Sequence, residues 1–411
     1  MTDFCNAPDL TPVDVALEQL LLKVTPAQET ELIALVDACD RVLSQDIKSD
    51  VNIPSFDNSA MDGYALRSAD LIESQVLDLV GKVFAGHPID QLINQGQCVR
   101  IMTGGKIPQG CDAVVMQENT QSLGDKIVFT KLPEVGENIR RAGEDIKQGQ
   151  IVLSKGCVLT PADVGLLASL GVVKVEVYKT ITVALISTGD ELQALGEPLQ
   201  KGQFYESNGY TVAALLKRFG VHVFNLGIVK DDLNALRKAF LLADEKADVV
   251  ITSGGVSVGE ADYTKTVIEE LGHIDFWKLA IKPGKPFAFG RLPNSYIIGL
   301  PGNPVSALVT LHQLAIPMLR KISGQDTKPA LRLHAVTSGP LRKRPGRMDF
   351  QRGIFYQNEN GSLEVKATGG QGSGILSSMS QANCYIVLAQ EAGNVAAGES
   401  VIIEPFDELL K

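Results

Sequence analysis

Between residues 247 and 263 the chain passes from a β-branched run through three glycines to a carboxylate that opens a helical pattern. Val249 to Thr252 read as a buried parallel strand. Gly254, Gly255 and Gly259 let backbone N–H groups turn toward a ligand with no Cβ in the way. Asp262 stands where a helix begins, with Val267, Ile268 and Leu271 as its apolar stripe and Gly272 as its stop. Strand, glycine turn, carboxylate and helix in that order suit an anion or a metal–phosphate. Taken alone, the stretch serves equally well as a tight turn with a capping Asp.

The same rhythm extends over residues 178–325. Strands are predicted at 182–186, 221–229, 248–252 and 274–280, with shorter ones at 287–289 and 296–298. Helices are predicted at 208–219, 233–243 and 263–271, and a last one follows Pro301-Gly302-Asn303-Pro304 along Val305, Leu308, Leu311 and Leu314. Such alternation predicts a doubly wound, mostly parallel sheet. Ligands bind such sheets beyond the carboxyl ends of the strands. Here those ends carry Ser187 to Glu191, Lys230-Asp231-Asp232, the glycine stretch with Asp262, Lys278 with Lys282 and Lys285, and Pro301 to Pro304. Singly, Asp231 passes for a helix cap, Glu191 for a solvated loop residue and Lys282 for a surface charge. Together they gather carboxylates, lysines and glycine turns on one edge. Two carboxylates ~4 Å apart repel by about 4 kcal/mol at an effective dielectric of 20, so converging acids favour a cation between them. Oxygen ligands alone suit Mg²⁺, which keeps water and phosphate oxygens in its shell. No Gly-x-x-x-x-Gly-Lys-Ser/Thr and no Gly-x-Gly-x-x-Gly after the first strand occurs, which argues against a P-loop nucleotidase and a dinucleotide dehydrogenase.

Around this segment the texture differs. Thr11-Pro12 precede an amphipathic helix along Val13, Ala16, Leu17, Leu20, Leu21 and Val24. Residues 47–146 alternate short strands with many turns, and Thr160-Pro161-Ala162-Asp163 cap a helix closed by Gly171. These features predict an elongated N-terminal domain of residues 1–46 and 147–177, with a β-rich domain, 47–146, inserted in it. The α/β domain spans 178–325, and a small C-terminal β-barrel or sandwich spans 326–411. The 411 residues exceed what one core organises. A net charge of −10 argues against nucleic acid as a partner. No run of ~18 apolar residues and no signal-peptide pattern is found, so a cytoplasmic protein without membrane contact is expected. Six scattered cysteines form no metal motif and read as reduced thiols, and five scattered histidines argue against histidine-based catalysis.

Several ordered stretches resemble one family. They are Pro54-Ser55-Phe56-Asp57-Asn58-Ser59-Ala60-Met61-Asp62-Gly63-Tyr64-Ala65, Arg100 to Gly104, Arg140-Arg141-Ala142-Gly143-Glu144-Asp145, Ser187 to Leu192, Ser253 to Gly259, Lys282 to Pro286 and Leu300 to Ser306. Gly346-Arg347 with Phe350, and Gly372 to Ser378, complete the set. They are similar to the molybdopterin molybdenumtransferases, the MoeA/gephyrin E-domain family. The resemblance covers about residues 11–408 and implies four domains, the third like a molybdopterin adenylyltransferase. It further implies a homodimer whose active site lies between subunits. The implied reaction removes AMP from adenylated molybdopterin with Mg²⁺ and ligates molybdate to the dithiolene, giving molybdenum cofactor. Molybdopterin adenylyltransferase and the maturation partners of molybdoenzymes are the implied protein partners.

By the same resemblance, Asp62, Glu191, Asp231 and Asp262 are catalytic and position metal or substrate. Lys278, Lys282 and Arg140 hold phosphate or molybdate, and Arg347 and Ser373 complete an oxyanion pocket. Thr103, Asp145, Ser253, Gly254, Gly255, Ser257, Pro301, Asn303 and Pro304 are the remaining substrate-binding positions. The chain departs from the family at Glu206, where Asp is common, and at Gly105, where Ala is common; the second change is expected to alter loop stiffness only. Two other functions compatible with the sheet are a gephyrin-type scaffold without catalysis and a Mg²⁺-dependent phosphate-ester hydrolase.

Overall fold

A computed structural model describes residues 10–255, 263–327 and 329–411. Asp262, Ser257 and Gly259 lie outside the described residues. Contacts gather the chain into two compact units, one of residues 1–31, 40–44 and 177–411, the other of residues 32–39 and 45–176.

The first unit is built on a six-stranded sheet in the order 222–229, 182–188, 249–253, 296–300, 286–291, 273–278. The first four strands are mutually parallel. Pro286–Arg291 runs antiparallel to both its neighbours, so His273–Lys278 points the same way as the first four. The first strand in sequence, Thr182–Thr188, has the second on one side and the third on the other. The chain therefore winds in opposite directions from it, which makes the gap between Thr182–Thr188 and Val249–Ser253 the switch point. Alternate residues serve opposite layers, as period-two geometry requires. Val183, Leu185, Val249 and Ile251 face Val212, Leu215 and Leu216 of the helix Asn208–Phe219. Ala184, Ile186 and Val250 face Leu236 and Phe240 of the helix Leu233–Lys246 and Val267 of the helix Tyr263–Leu271.

The expected helix after Asn303 is interrupted. An α-helical piece, Pro304–Thr310, passes through a π-turn, Leu311–Ala315, into Ile316–Ile322. The N-terminal helix Val13–Lys23 buries Val13, Ala16 and Leu20 in the core shared by this helix and the sheet. Its apolar stripe thus completes the α/β layer, so residues 1–31 belong to the same unit as 177–411.

The C-terminal segment forms a closed five-stranded barrel in the order 348–357, 363–367, 333–337, 400–405, 384–388 and back to 348–357. A short strand, Ile281–Lys282, leaves the sheet's edge and pairs in parallel with Met348 and Asp349 of the barrel. That pairing sets Lys282 opposite Asp349.

The second unit carries another six-stranded sheet, in the order 113–116, 63–66, 97–101, 76–83, 126–129, 120–123. Its helix Pro161–Ser169 opens with the predicted capping box. The Asp163 carboxylate accepts the Thr160 N–H at 2.8 Å, and Thr160 Oγ1 accepts the Asp163 N–H at 3.3 Å.

Candidate active site in two parts

In the second unit, three sequence-distant loops are tied together by backbone bonds. Ser59 N–H donates to Gly105 O at 2.9 Å, and Gly104 N–H returns to Ser59 O at 2.8 Å. Ala60 N–H donates to Asn138 O at 2.9 Å, and Asp145 N–H donates to Ile53 O at 3.0 Å. Within this knot Asp62 Oδ1 accepts the Thr103 N–H at 2.7 Å and the Thr103 Oγ1–H at 2.9 Å. These two bonds, with the nearby Arg100 charge, hold the exposed Asp62 carboxyl below its ordinary range. Arg140 pairs across a short ladder with Asn58, and its exposed guanidinium has no ion-pair partner among the described residues. The neighbouring Arg141 is used differently: its Nη1 binds Asp57 Oδ2 at 2.6 Å, while the Ala142 N–H donates to Asp57 Oδ1 at 2.8 Å. The Asp57 carboxyl is lowered, first by that backbone bond and then by Arg141. Asp62, Thr103, Arg140 and Asp145 therefore lie on one knot of loops.

In the first unit, the strand ends collect the other expected residues. Ser187 lies level with Ser253, and Ser253 with Leu300. Lys278 ends its strand at the same edge, opposite Pro286. Gly254 and Gly255 have φ of 90° and 66°, which L side chains rarely adopt. A Cβ on Gly254 would stand 2.5 Å from Thr188 O, so only glycine lets the two strand ends close up. Asp231 is half-buried beside Asp190 and Glu191. Burial first, then those two negative charges, push its carboxyl up from its ordinary range. Lys282 Nζ donates to Asp349 Oδ2 at 3.0 Å, with the Lys282 side chain 39% exposed and that of Asp349 4% exposed. Ser373 O accepts the Val305 N–H at 3.0 Å, which ties the barrel loop to the turn Pro301–Pro304. Arg347 is half-exposed next to this region of the barrel strand, and its carbonyl accepts Lys343 Nζ at 2.8 Å.

The expected metal set is not assembled among the described residues. Asp62 belongs to one unit, Glu191 and Asp231 to the other, and Asp262 lies outside the described residues. No group of three His, Cys, Asp or Glu side chains among the described residues is arranged to hold a metal ion. Burial pushes the thiols of Cys98, Cys111 and Cys384 up to about 12, so they stay protonated at neutral pH.

Several contributors escape sequence reasoning. Asp349 is one; its signal was an acid inside an alternating barrel strand, where burial requires a partner. Lys343 is another. The residue is 4% exposed, and its ammonium donates to the carbonyls of Arg344, Arg347, Gln390 and Ala392 at 2.8–3.3 Å and so fixes the arginine-rich turn. Glu206 proves to be a helix cap. It is 6% exposed, and its Oε1 accepts the Gly209 N–H at 2.6 Å.

Three family models match along the chain: the MoeA N-terminal region (domain I and II) over residues 11–171, a probable molybdopterin binding domain over 184–321, and the MoeA C-terminal region (domain IV) over 334–406. A molybdopterin molybdenumtransferase of Haemophilus influenzae is 50% identical over 400 residues, covering 97% of this chain and 99% of that relative. A gephyrin of Dictyostelium discoideum is 34% identical and covers 96% of this chain but 62% of its own length. The crystal structure of a molybdopterin biosynthesis moeA protein from Pyrococcus horikoshii OT3 superposes with a TM-score of 0.83 at 31% identity, covering 97% of this chain and all (100%) of that one. With models along its whole length and a half-identical relative of matching size, the chain belongs to the MoeA family of molybdopterin molybdenumtransferases, transferases of molybdenum cofactor biosynthesis.

Proposed function

We propose that this protein inserts molybdenum from molybdate into adenylated molybdopterin and releases AMP in a Mg²⁺-dependent step. The observation that carries the reading is the switch-point edge. There two left-handed glycines bring strand ends together beside Ser253, with Lys278 at the same edge. An anionic pterin phosphate suits backbone N–H groups and point-charge lysines at such an edge.

Mg²⁺ fits the oxygen donors present. Asp231 resists ionisation first because it is partly buried and then because of the Asp190 and Glu191 charges, and a divalent cation relieves that repulsion. Mg²⁺ is commonly held by one or two carboxylates with water and phosphate oxygens, so Glu191 and Asp231 suffice on the protein's side, with Asp262 as a further candidate. When bound, the ion neutralises charge on the phosphate. Lys282, steadied by Asp349, then holds an oxyanion, with Arg347 and Ser373 as further oxyanion donors. Asp62, Thr103, Arg140 and Asp145 form the complementary half. In this reading they meet the sheet edge of a partner subunit in a homodimer. The four-domain division of the chain, a cytoplasmic location and exchange with molybdopterin adenylyltransferase and molybdoenzyme maturation proteins belong to the same proposal.

The test mixes the protein with adenylated molybdopterin, Mg²⁺ and molybdate, and follows AMP and active cofactor. AMP release that requires Mg²⁺, with cofactor formed, is the expected result. No turnover of this substrate together with hydrolysis of unrelated phosphate esters would overturn the proposal in favour of a hydrolase.

A further inference from the structure

The helix Asn208–Phe219 begins against the switch point, and the side chain of its first residue is spent on a strand end and a neighbouring turn rather than on its own helix. Asn208 Nδ2 donates to Ser253 Oγ at 2.8 Å and to Gly302 O at 2.8 Å. A backbone carbonyl can only accept, so the atom facing Gly302 is the amide nitrogen, and both of its protons are committed. Ser253 Oγ is therefore an acceptor toward Asn208, and its own proton is directed elsewhere. Ser253 is 3% exposed, and its hydroxyl has no hydrogen bond to another described residue. One N–H of the helix's first turn is taken by another side chain, since Glu206 accepts the Gly209 N–H at 2.6 Å. Asn208 is thereby left to serve the strand ends.

We propose that Asn208 is a positioning residue. It turns the Ser253 hydroxyl proton toward the substrate and holds the Pro301–Asn303 turn beside it, so that hydroxyl and turn meet an anionic group of the pterin together. The proposal rests on the molybdopterin reading above. It explains why the polar atom of a helix's first residue should bridge a strand end and a turn: a hydroxyl free to rotate would donate to a nearby carbonyl and be lost to the ligand. Accepting from Asn208 takes one lone-pair direction of Ser253 Oγ and narrows those left to its O–H, which favours donation to an anion placed opposite.

Asn208→Asp separates this role from simple packing. The carboxylate has nearly the same shape but cannot donate. It repels Gly302 O and accepts the Ser253 proton, turning the hydroxyl away from the substrate. Binding of molybdopterin is measured anaerobically, as pterin retained on the protein after gel filtration, for the native protein, Asn208→Asp, Ser253→Ala and the double variant. Melting temperature is followed in parallel. Asn208→Asp should weaken retention about ten-fold or more in the native background, the cost of an unmade buried hydrogen bond to a charged group. With Ser253→Ala already present, the same change should cost only about two- to three-fold, because contact pairs couple in double-mutant cycles. Should Asn208→Asp fail to fold, Asn208→Ala takes its place in the cycle with the same expectation of coupling. Equal losses in both backgrounds would overturn the positioning role. A native protein that retains no molybdopterin would overturn the reading beneath it, and the proposal with it.

Discussion

Asp62 takes both the backbone N–H and the hydroxyl of Thr103 on a single oxygen, Oδ1, at 2.7 and 2.9 Å. Its second oxygen is left toward solvent, on an exposed side chain. The bonds stabilise the ionised form, so the carboxyl is lowered. A lowered acid contributes stability above its unfolded value, about 3.9, and loses it as pH falls through the lower folded value. At neutral pH the group is fully charged, and it is held in place without being neutralised.

Asp62→Asn should therefore separate charge from shape. The amide oxygen can still accept from Thr103, so the loop knot should persist and the melting temperature should hardly change at pH 7. Cofactor synthesis should be lost, because the charge facing metal or substrate is gone. Assays of AMP release and cofactor formation check this, and a folded variant with native activity would remove Asp62 from the site.

Lys282 and Asp349 call for a paired test. Lys282→Ala leaves a carboxylate that is 4% exposed with Gln351 Nε2, at 3.1 Å, as its remaining neutral donor. A buried charge stripped of its partner costs about 1–3 kcal/mol here, the lower end of the usual range because Lys282 itself is partly solvated. Chemical denaturation should show that loss. Adding Asp349→Asn should restore most of the stability without restoring activity. If the double variant recovers activity, Lys282 does not hold the oxyanion.

How much of this was legible in the sequence depends on the range of the interaction. The helices at 208–219 and 263–271 match their predicted bounds, because caps, glycine stops and an apolar stripe are local signals. The strand ends bearing Ser187, Ser253 and Lys278 were placed on one edge by the alternation alone. Lys282 was marked as an anion holder, but its tie to Asp349 depends on a two-residue strand that leaves one sheet for another, and no periodicity announces that. The same holds for Asn208. A residue at the start of a helix reads as capping material, and only the sheet register shows that Ser253 and Gly302 lie within its reach. Val13 to Val24 read as an amphipathic helix, but the sequence did not say which layer its apolar stripe would cover.

Asp231 gives a prediction in pH. Its folded value is raised, so its neutral form favours the fold. The contribution is present below the unfolded value and is lost as pH rises through the raised folded value. At neutral pH without Mg²⁺, Asp231→Asn should melt higher than the native protein, and the difference should disappear under acid conditions where both side chains are neutral. Mg²⁺ should raise the melting temperature of the native protein and not that of the variant. A variant that melts lower at neutral pH would show that Asp190 and Glu191 do not oppose the Asp231 charge.

Gly105 is where an expectation from sequence changes most. Alanine there was expected to alter only loop stiffness. The residue is buried, and an added Cβ would stand 2.9 Å from Met102 O, 3.0 Å from Ile101 Cγ1 and 3.3 Å from Val83 Cγ1. Two of those neighbours are core side chains and the third is backbone, so none yields easily. Gly105 O also receives the Ser59 N–H at 2.9 Å, which couples any shift to the loop carrying Asp62. Gly105→Ala should cost about 1–3 kcal/mol, the usual penalty for overpacking a tight site. Because the strain falls on the bonds joining residues 59 and 104–105, activity should fall along with stability. Denaturation midpoints and turnover measured on the same preparation check both. An alanine variant that is more stable than the native protein would show that the loop relaxes freely and that stiffness is the whole effect.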